Sequence, residues 1–323
     1  MKKFLWIAIS FIGITGLAAA QSPVVGNGQL AVKDGIIVNK HGVPPQLRGV
    51  SFSWSLWAGR KYYNPAVVDW LADDFKVSLI RSSMGVQPDH GYLQEPLLQK
   101  QLMRTIVDEA IKKGVYVLID WHDHNSHLHI PQSKAFFAEM AQKYAGVPNV
   151  IYEIWNEPER VSWDTVKNYA LQIIPEIRKF DKDNLIVVGS PHWDQDIDIA
   201  AADPIRGFSN IAYSFHFYAS DKNHQEGLRA KGDKAIQMGL PIMVSEWGVG
   251  ESTGDGEFDR QKTQLWLNWM EDHKLSWANW NLTDKQETTA LLHPGAPANG
   301  GWKQNQLTPA GDYIRQVLRK LNK

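Results

Sequence analysis

The chain has 323 residues, 43% of them hydrophobic and 21% charged, with a formal net charge of −1. These values suit a soluble globular protein of one large domain or two small ones, and they carry no basic footprint for nucleic acid or an anionic membrane. There is no cysteine, which excludes thiol catalysis, cysteine metal sites and disulfides, so stability must come from the core alone.

Residues 1–20 read as an export signal. Lys2 and Lys3 precede a mostly apolar run from Phe4 to Leu17, and Ala18-Ala19-Ala20 supplies the small residues a signal peptidase needs. The run is short for a membrane span and is interrupted by Ser10 and Thr15. Cleavage is expected near Ala20-Gln21, with the mature protein secreted, extracellular or periplasmic, and free of the membrane. Losing Lys2 and Lys3 reduces the 34 basic residues to 32 against 35 acidic ones, a net charge of −3.

Residues 21–28 form a short polar leader. Gln29–Asn39 places Asp34-Gly35 between two apolar runs, which predicts a hairpin serving as a lid over one end of the domain. Eight short, Val- and Ile-rich segments then predict strands buried on both faces: Gln46–Phe52, Val77–Ser82, Val115–Trp121, Val150–Trp155, Leu185–Gly189, Ile211–Phe217, Pro241–Trp247 and Ser276–Asn281. Helices are predicted between and after them at Pro65–Phe75, Pro96–Lys113, Ser133–Tyr144, Ser162–Phe180, Glu226–Met238, Phe258–Asp272 and Pro309–Leu321, several with a polar cap or a terminal glycine. The connection at Asp194–Ala202 carries the weakest helical pattern. This alternation over 29–323 predicts an α/β protein, a single-domain (β/α)8 TIM barrel with a small N-terminal β-hairpin, in preference to a doubly wound open sheet.

In such a barrel the active site forms at the C-terminal ends of the strands. In strand order those ends offer Trp54 or Trp57, Arg81, His122, Asn156 with Glu157, Trp193, His216 with Tyr218, Glu246, and Trp280. Buried strands avoid such groups unless they are paired or used. Two glutamates at the ends of two strands suit glycoside hydrolysis, in which one carboxyl protonates the leaving oxygen while the other attacks the anomeric carbon or activates water. Arg81 would hold one glutamate ionised by its charge. The 14 tryptophans include candidates for stacking on pyranose faces.

Together, Leu79-Ile80-Arg81, Asp120-Trp121-His122, Ile151 to Pro158, His216-Phe217-Tyr218, Ser245-Glu246-Trp247-Gly248 and Trp277 to Lys285 resemble glycoside hydrolase family 5, specifically its bacterial endoglucanase branch. The likeness runs from about Gln29 to Tyr313. It implies a secreted endo-β-1,4-glucanase acting with retention and without a cofactor or metal, as a monomer whose partner is the polysaccharide itself. It implies Glu157 as acid/base and Glu246 as nucleophile. Asn156 would donate to the sugar's 2-hydroxyl, Arg81 and Tyr218 would bind Glu246, and His216 would tune Glu157. His122 would contact the same sugar, with Trp280 as its platform. Trp57 would be a platform further toward the non-reducing end, with Lys285 and Glu287 as polar contacts, and Trp193 would be a platform on the leaving-group side. The first loop lacks the histidine that often precedes its tryptophan in this branch, so Trp54 and Trp57 both stand as candidates. Relatives that act on mannan, mixed-linkage glucan or xyloglucan share the residues for the cleavage sugar, so the motifs do not choose the polymer, while Lys285 and the first-loop tryptophans favour an undecorated glucan.

Several residues read more plainly. Glu153 is expected to be an internal barrel partner, and Asp120 a hydrogen-bonding support. His122, Asp123, His124, His127 and His129 cluster without a zinc-ligand spacing. Asp255, Glu257 and Asp259 suggest a solvated loop, while Trp163, Trp266 and Trp269 sit at helical positions suited to the core.

Overall fold

A computed structural model describes residues 21–322; the expected export segment, 1–20, lies outside them. The leader folds more than its polarity suggests. Ser22 Oγ accepts from Val25 N–H and Pro23 presets the first turn, so Pro23–Asn27 is one helical turn. The predicted hairpin is present as β1 (Ala31–Lys33) and β2 (Ile36–Val38), paired antiparallel. Asp34 and Gly35 both have positive φ, 51° and 78°, the geometry of a two-residue turn that follows strand twist. Leu30, Ile37 and Leu47 pack on Leu79, Tyr116, Ile151 and Ala278, so this hairpin closes the N-terminal mouth of the barrel.

The eight strands form a closed parallel barrel: β3 (Arg48–Phe52), β4 (Leu79–Gly85), β5 (Tyr116–His122), β6 (Val150–Glu153), β7 (Ile186–Val188), β8 (Ile211–Tyr218), β9 (Ile242–Gly248) and β10 (Trp277–Leu282), with β10 returning to pair with β3. Every predicted strand is found, most with ends shifted by one to three residues. β6 stops at Glu153 because the chain turns out of the ladder to reach a left-handed Glu157, φ 52°. The helix expected from Ser133 begins at Ile130, since Pro131 is at home in a first turn. The one expected from Phe258 begins at Arg260, where Asp259 caps the N–H groups of Gln261 and Lys262. The weak Asp194–Ala202 segment divides into a left-handed turn at 192–194 and a helix, Ile197–Ala202. No helix among the described residues is long and apolar enough to cross a membrane.

Burial changes character along the strands. Near the N-terminal ends Leu79, Leu118, Ile151 and Val187 form an apolar layer. Two residues further along β4, β5 and β6 stand Arg81, Asp120 and Glu153, with Asp120 directly beside Glu153 in register. All three are fully buried. Arg81 answers both acids, with Nε 2.6 Å from Glu153 Oε2 and Nη2 3.0 Å from Asp120 Oδ2. Burial would push Glu153 up, but the Arg81 charge, the nearby His216 ring and the hydrogen bond from Arg81 outweigh it and hold the carboxyl down at about 2. The supporting readings of Glu153 and Asp120 therefore match their geometry. Outside the strands, Trp266 is fully buried and stacks on Phe217 at 3.7 Å between ring centroids, and Trp163 and Trp269 are also in the core.

Two outcomes follow. Trp266→Ala removes a fully buried indole and should cost about 3–5 kcal/mol, read as a lower urea midpoint with little change in slope. Glu153 has a folded pKa below its ordinary 4.5. Its stabilisation is therefore complete above about pH 4.5 and fades as pH falls toward 2. Glu153→Gln should be destabilised by about 3 kcal/mol at pH 7, and that penalty should shrink in unfolding curves recorded near pH 3.

Candidate active site

At the top of this ionic layer stands Glu246, on β9 beside His216 of β8. Its two oxygens are each held by a donor: Arg81 Nη1 at 2.7 Å from Oε2 and the Tyr218 hydroxyl at 2.7 Å from Oε1. A Cβ at Gly248 would lie 2.5 Å from the Tyr218 ring, so the glycine makes room for this contact. Arg81 thus links a buried structural layer to an acid at the mouth of the barrel. Its Nη2 also donates to Asn156 Oδ1 at 2.6 Å. That orients Asn156 with its Nδ2 buried and unpartnered, a donor left over for a ligand.

Glu157 follows at the first left-handed residue after β6. Such a backbone is costly for a non-glycine residue and persists only where its surroundings enforce it. Here the Glu157 N–H donates to Asp194 Oδ2 at 3.0 Å. The side chain reaches His216 Nδ1 (3.1 Å from Oε1), and His124 Nε2 lies 3.7 Å from Oε2. Oxygen atoms of Glu157 and Glu246 and a ring nitrogen of His216 all lie within 4.8 Å of one another.

Charges in this cluster are interdependent. Burial alone would lower His216, but Asp194, Glu153 and Glu157 face it and keep it charged well above the usual histidine range. Burial would raise Glu157, and the hydrogen bond and charge of His216 pull it down. Burial and the charge of Glu157 push Glu246 up, against Arg81, His216 and Tyr218. Both directions favour the proton of the His216–Glu157 bond on the histidine side. His216 Nε2 is 2.9 Å from Ser245 Oγ, so a cationic ring has an acceptor on both sides.

His122 is pushed well below the usual range by burial and then by the charges of Arg81, His124 and His216, so it is neutral. Its Nδ1 lies 2.6 Å from Asp120 Oδ2, a contact that orients the ring. The His122 and Trp280 rings are parallel within 2°, 5.3 Å between centroids.

Two clefts of about 470 Å³ each meet at the carboxyl pair, and both are lined by His124, Glu157, Tyr218 and Ser252. One half carries Trp54, Trp57, Trp280, Lys285 and Glu287 along with Glu246; the other carries Trp193, His192 and Asn223. Trp54 packs edge-on against His122 at 4.1 Å, while Trp57 is 66% exposed and presents an open ring. Lys285 Nζ lies 2.6 Å from Glu287 Oε2, and Asn281 Nδ2 donates to Glu287 Oε1 at 3.1 Å. Trp54, Trp57, His122, Glu157, Trp193, His216, Tyr218, Glu246, Trp280, Lys285 and Glu287 line the two clefts, while Arg81 and Asn156 are fully buried beneath them.

Glu157, His216 and Glu246 are also the one set among the described residues whose ligand atoms converge as a metal site would. The set does not suit a dication, because the Arg81 guanidinium already occupies Glu246 at 2.7 Å. The clustered histidines disperse: His124 Nδ1 lies 2.9 Å from Glu159, His129 Nδ1 lies 2.7 Å from Asp123, and His127 stacks on Trp155. Asp255 is taken by Thr288 and Asp259 by a helix cap.

Sequence reading missed Asp194, Ser245 and His124 as members of the site. Asp194 sits beyond a strand end, in a turn whose left-handed course no local pattern announces. Ser245 was visible beside Glu246, but only the pairing of β8 with β9 places it under His216.

Residues 38–286 match the family model described as cellulase, glycosyl hydrolase family 5. The chain is 37% identical to Endoglucanase Z of Dickeya dadantii over 322 residues, covering 99% of this chain and 73% of that protein. It is 40% identical to Endoglucanase A of Evansella cellulosilytica over 285 residues, covering 86% of this chain and 57% of that one. Among solved structures, one from Cytophaga hutchinsonii superposes with a TM-score of 0.91 at 42% identity, over 94% of this chain and 98% of that one. The catalytic domain of an endoglucanase from Thermobifida fusca, in complex with cellotetraose, superposes with a TM-score of 0.88 at 34% identity, over 93% of this chain and 100% of that one. With a match of this extent across a barrel of this architecture, the chain belongs to glycosyl hydrolase family 5.

Proposed function

We propose that the chain is an endo-β-1,4-glucanase, exported after cleavage near Ala20-Gln21, that hydrolyses internal bonds of cellulose-type glucans with retention. The observation that carries this reading is the carboxyl pair, with oxygens within 4.8 Å, at the meeting point of a cleft open on both sides. Retaining enzymes hold their carboxyls closer together than inverting ones, which need room for a water, and oxygens this near each other favour retention. Endoglucanase relatives and the cellotetraose held by the Thermobifida fusca domain support a β-1,4-glucan as substrate.

In this reading Glu246 is the nucleophile. Arg81 and Tyr218 aim its oxygens and favour the carboxylate. Glu157 is the acid. A proton crossing from His216 Nδ1 to Glu157 Oε1 converts the pair to neutral imidazole and carboxylic acid. It also removes the negative charge that raises Glu246, so one transfer arms both residues. Glu246 then attacks the anomeric carbon, the glycosidic bond breaks, and Glu157 delivers its proton to the departing oxygen. Glu157, now ionised, takes a proton from water, which displaces Glu246 and restores the original anomer. Asn156 Nδ2 is available for the 2-hydroxyl, and His122 Nε2 for a second hydroxyl of the same sugar. Trp280 supports that sugar. Trp57 is the open platform beyond it, with Trp54 bracing His122 and Lys285 and Glu287 as polar contacts. Trp193 supports the leaving portion. No cofactor enters any step.

Proton NMR of the first product from a cello-oligosaccharide should show the β-anomer; an α-anomer would sink the double displacement. Glu246→Ala should lose roughly 10⁴-fold or more in kcat, and added azide should restore turnover with an α-glycosyl azide product. Near-normal hydrolysis by that variant would refute the nucleophile assignment. Initial rates on carboxymethylcellulose should exceed those on mannan and xyloglucan, and the reverse order would move the substrate elsewhere.

A further inference from the structure

The turn that carries Trp193 has an unusual backbone. His192, Trp193 and Asp194 all have positive φ, 59°, 56° and 58°, with no glycine among them. The turn is docked onto the segment that bears Glu157. His192 N–H donates to Glu159 O and Trp193 N–H to Pro158 O, each at 2.9 Å. Asp194 secures both ends of the arrangement. Its Oδ1 accepts from Ser190 N–H at 2.5 Å and its Oδ2 from Glu157 N–H at 3.0 Å. The carboxyl is fully buried, and the same Oδ2 faces His216 Nδ1 at 3.6 Å.

We propose that Asp194 is the positioning residue of the acid half of the site: its carboxylate ties the left-handed backbone of Glu157 to the Trp193 platform and holds His216 over Glu157. This rests on the reading of Glu157 as acid/base. The chemistry calls for a carboxylate. Two backbone N–H groups converge on it from different segments and a cationic ring lies beside it, so both oxygens must accept. An asparagine would turn an NH₂ toward one of those donors. Trp193 and Glu157 are also linked as a consequence: sugar stacked on Trp193 bears on a turn bonded directly to the backbone of the acid.

The same placement bears on pH dependence. His216 is faced by Glu157 and Glu153 from the end of β6, by Asp194 from the turn after β7, and by Ser245 and Glu246 from β9. Asp120 and His122 of β5, and Arg81 of β4 through the shared acids, complete its charged surroundings. Of these groups Asp194 does most to keep the ring charged. Burial places Asp194 itself at about 7, so it acts as a carboxylate on the basic side of the profile, where its effect on His216 is read. Without it, His216 should release its proton at lower pH.

The test uses Asp194→Asn and Asp194→Ser on two substrates, with kcat/KM as the readout because it reports bond cleavage. Cellopentaose needs its leaving oxygen protonated; 2,4-dinitrophenyl β-cellobioside does not. Both variants should lose roughly 10²-fold on cellopentaose and far less on the aryl glycoside. The basic limb of the cellopentaose pH profile should move down by about one unit or more. Trp193→Ala should weaken cellopentaose binding while leaving that limb in place. Equal losses on both substrates with an unmoved limb would reduce Asp194 to a structural role, and unchanged kinetics would overturn the proposal outright. Glu157→Ala is the control. If it fails equally on both substrates, the acid/base reading itself falls; if it is selective and the Asp194 variants are not, only the proposal about Asp194 falls.

Discussion

A single guanidinium organises this molecule. Arg81 is fully buried within the barrel and meets Asp120, Glu153 and Glu246 at 2.6 to 3.0 Å. A buried charge is tolerable only when paired and hydrogen-bonded, and three acids that would otherwise repel one another can coexist only around such a centre. The strands supply this geometry by register. Arg81, Asp120 and Glu153 follow apolar Leu79, Leu118 and Ile151 on the same faces, so the barrel interior changes from a sealed apolar floor to an ionic ceiling within two residues. The hairpin lid closes the floor and the cleft opens above the ceiling.

From that ceiling the two glutamates diverge in character because their backbones do. Glu246 lies on a strand and receives two donors on fixed elements, which gives it one orientation. Glu157 sits just past a strand, left-handed, partly exposed, and bonded to a histidine that can exchange a proton with it. On the proposed reading, rigidity suits a nucleophile, which attacks along one line, and an adjustable proton partner suits an acid/base, which gives up a proton and later takes one back. The cleft divides at this pair, with tryptophans on each side, which is the layout a polymer threaded through the site would require.

Much of this was legible in the residues. Eight short apolar runs alternating with capped helices favour a barrel over a doubly wound sheet, and the strand ends point to Asn156, Glu157, His216, Tyr218, Glu246 and Trp280; Arg81, also read as a strand end, lies mid-strand because β4 runs on to Gly85. Glu153 is legible as a support from its alternation along the strand, and Asp120 from its place in a strand just before Trp121-His122. Less legible was anything set by a turn. The left-handed run at His192-Trp193-Asp194 has no glycine or Asn-Gly to announce it. It exists because the Glu157–Glu159 backbone offers carbonyls to bond it. The histidine cluster resembled a ligand set only while its members were neighbours in sequence; in space each finds its own carboxylate or ring.

The sequence by itself determined the architecture and the chemical types at the mouth of the barrel, because periodicity of burial and the position of a strand end are local properties. Tertiary structure alone decided which proton sits where. That depends on Asp194, Ser245 and Glu153 being brought round His216 from three separate strands and loops, at separations of 2.9 to 3.8 Å. Electrostatic coupling at those distances is strong, and it is invisible along a chain in which Glu153 and His216 are more than sixty residues apart.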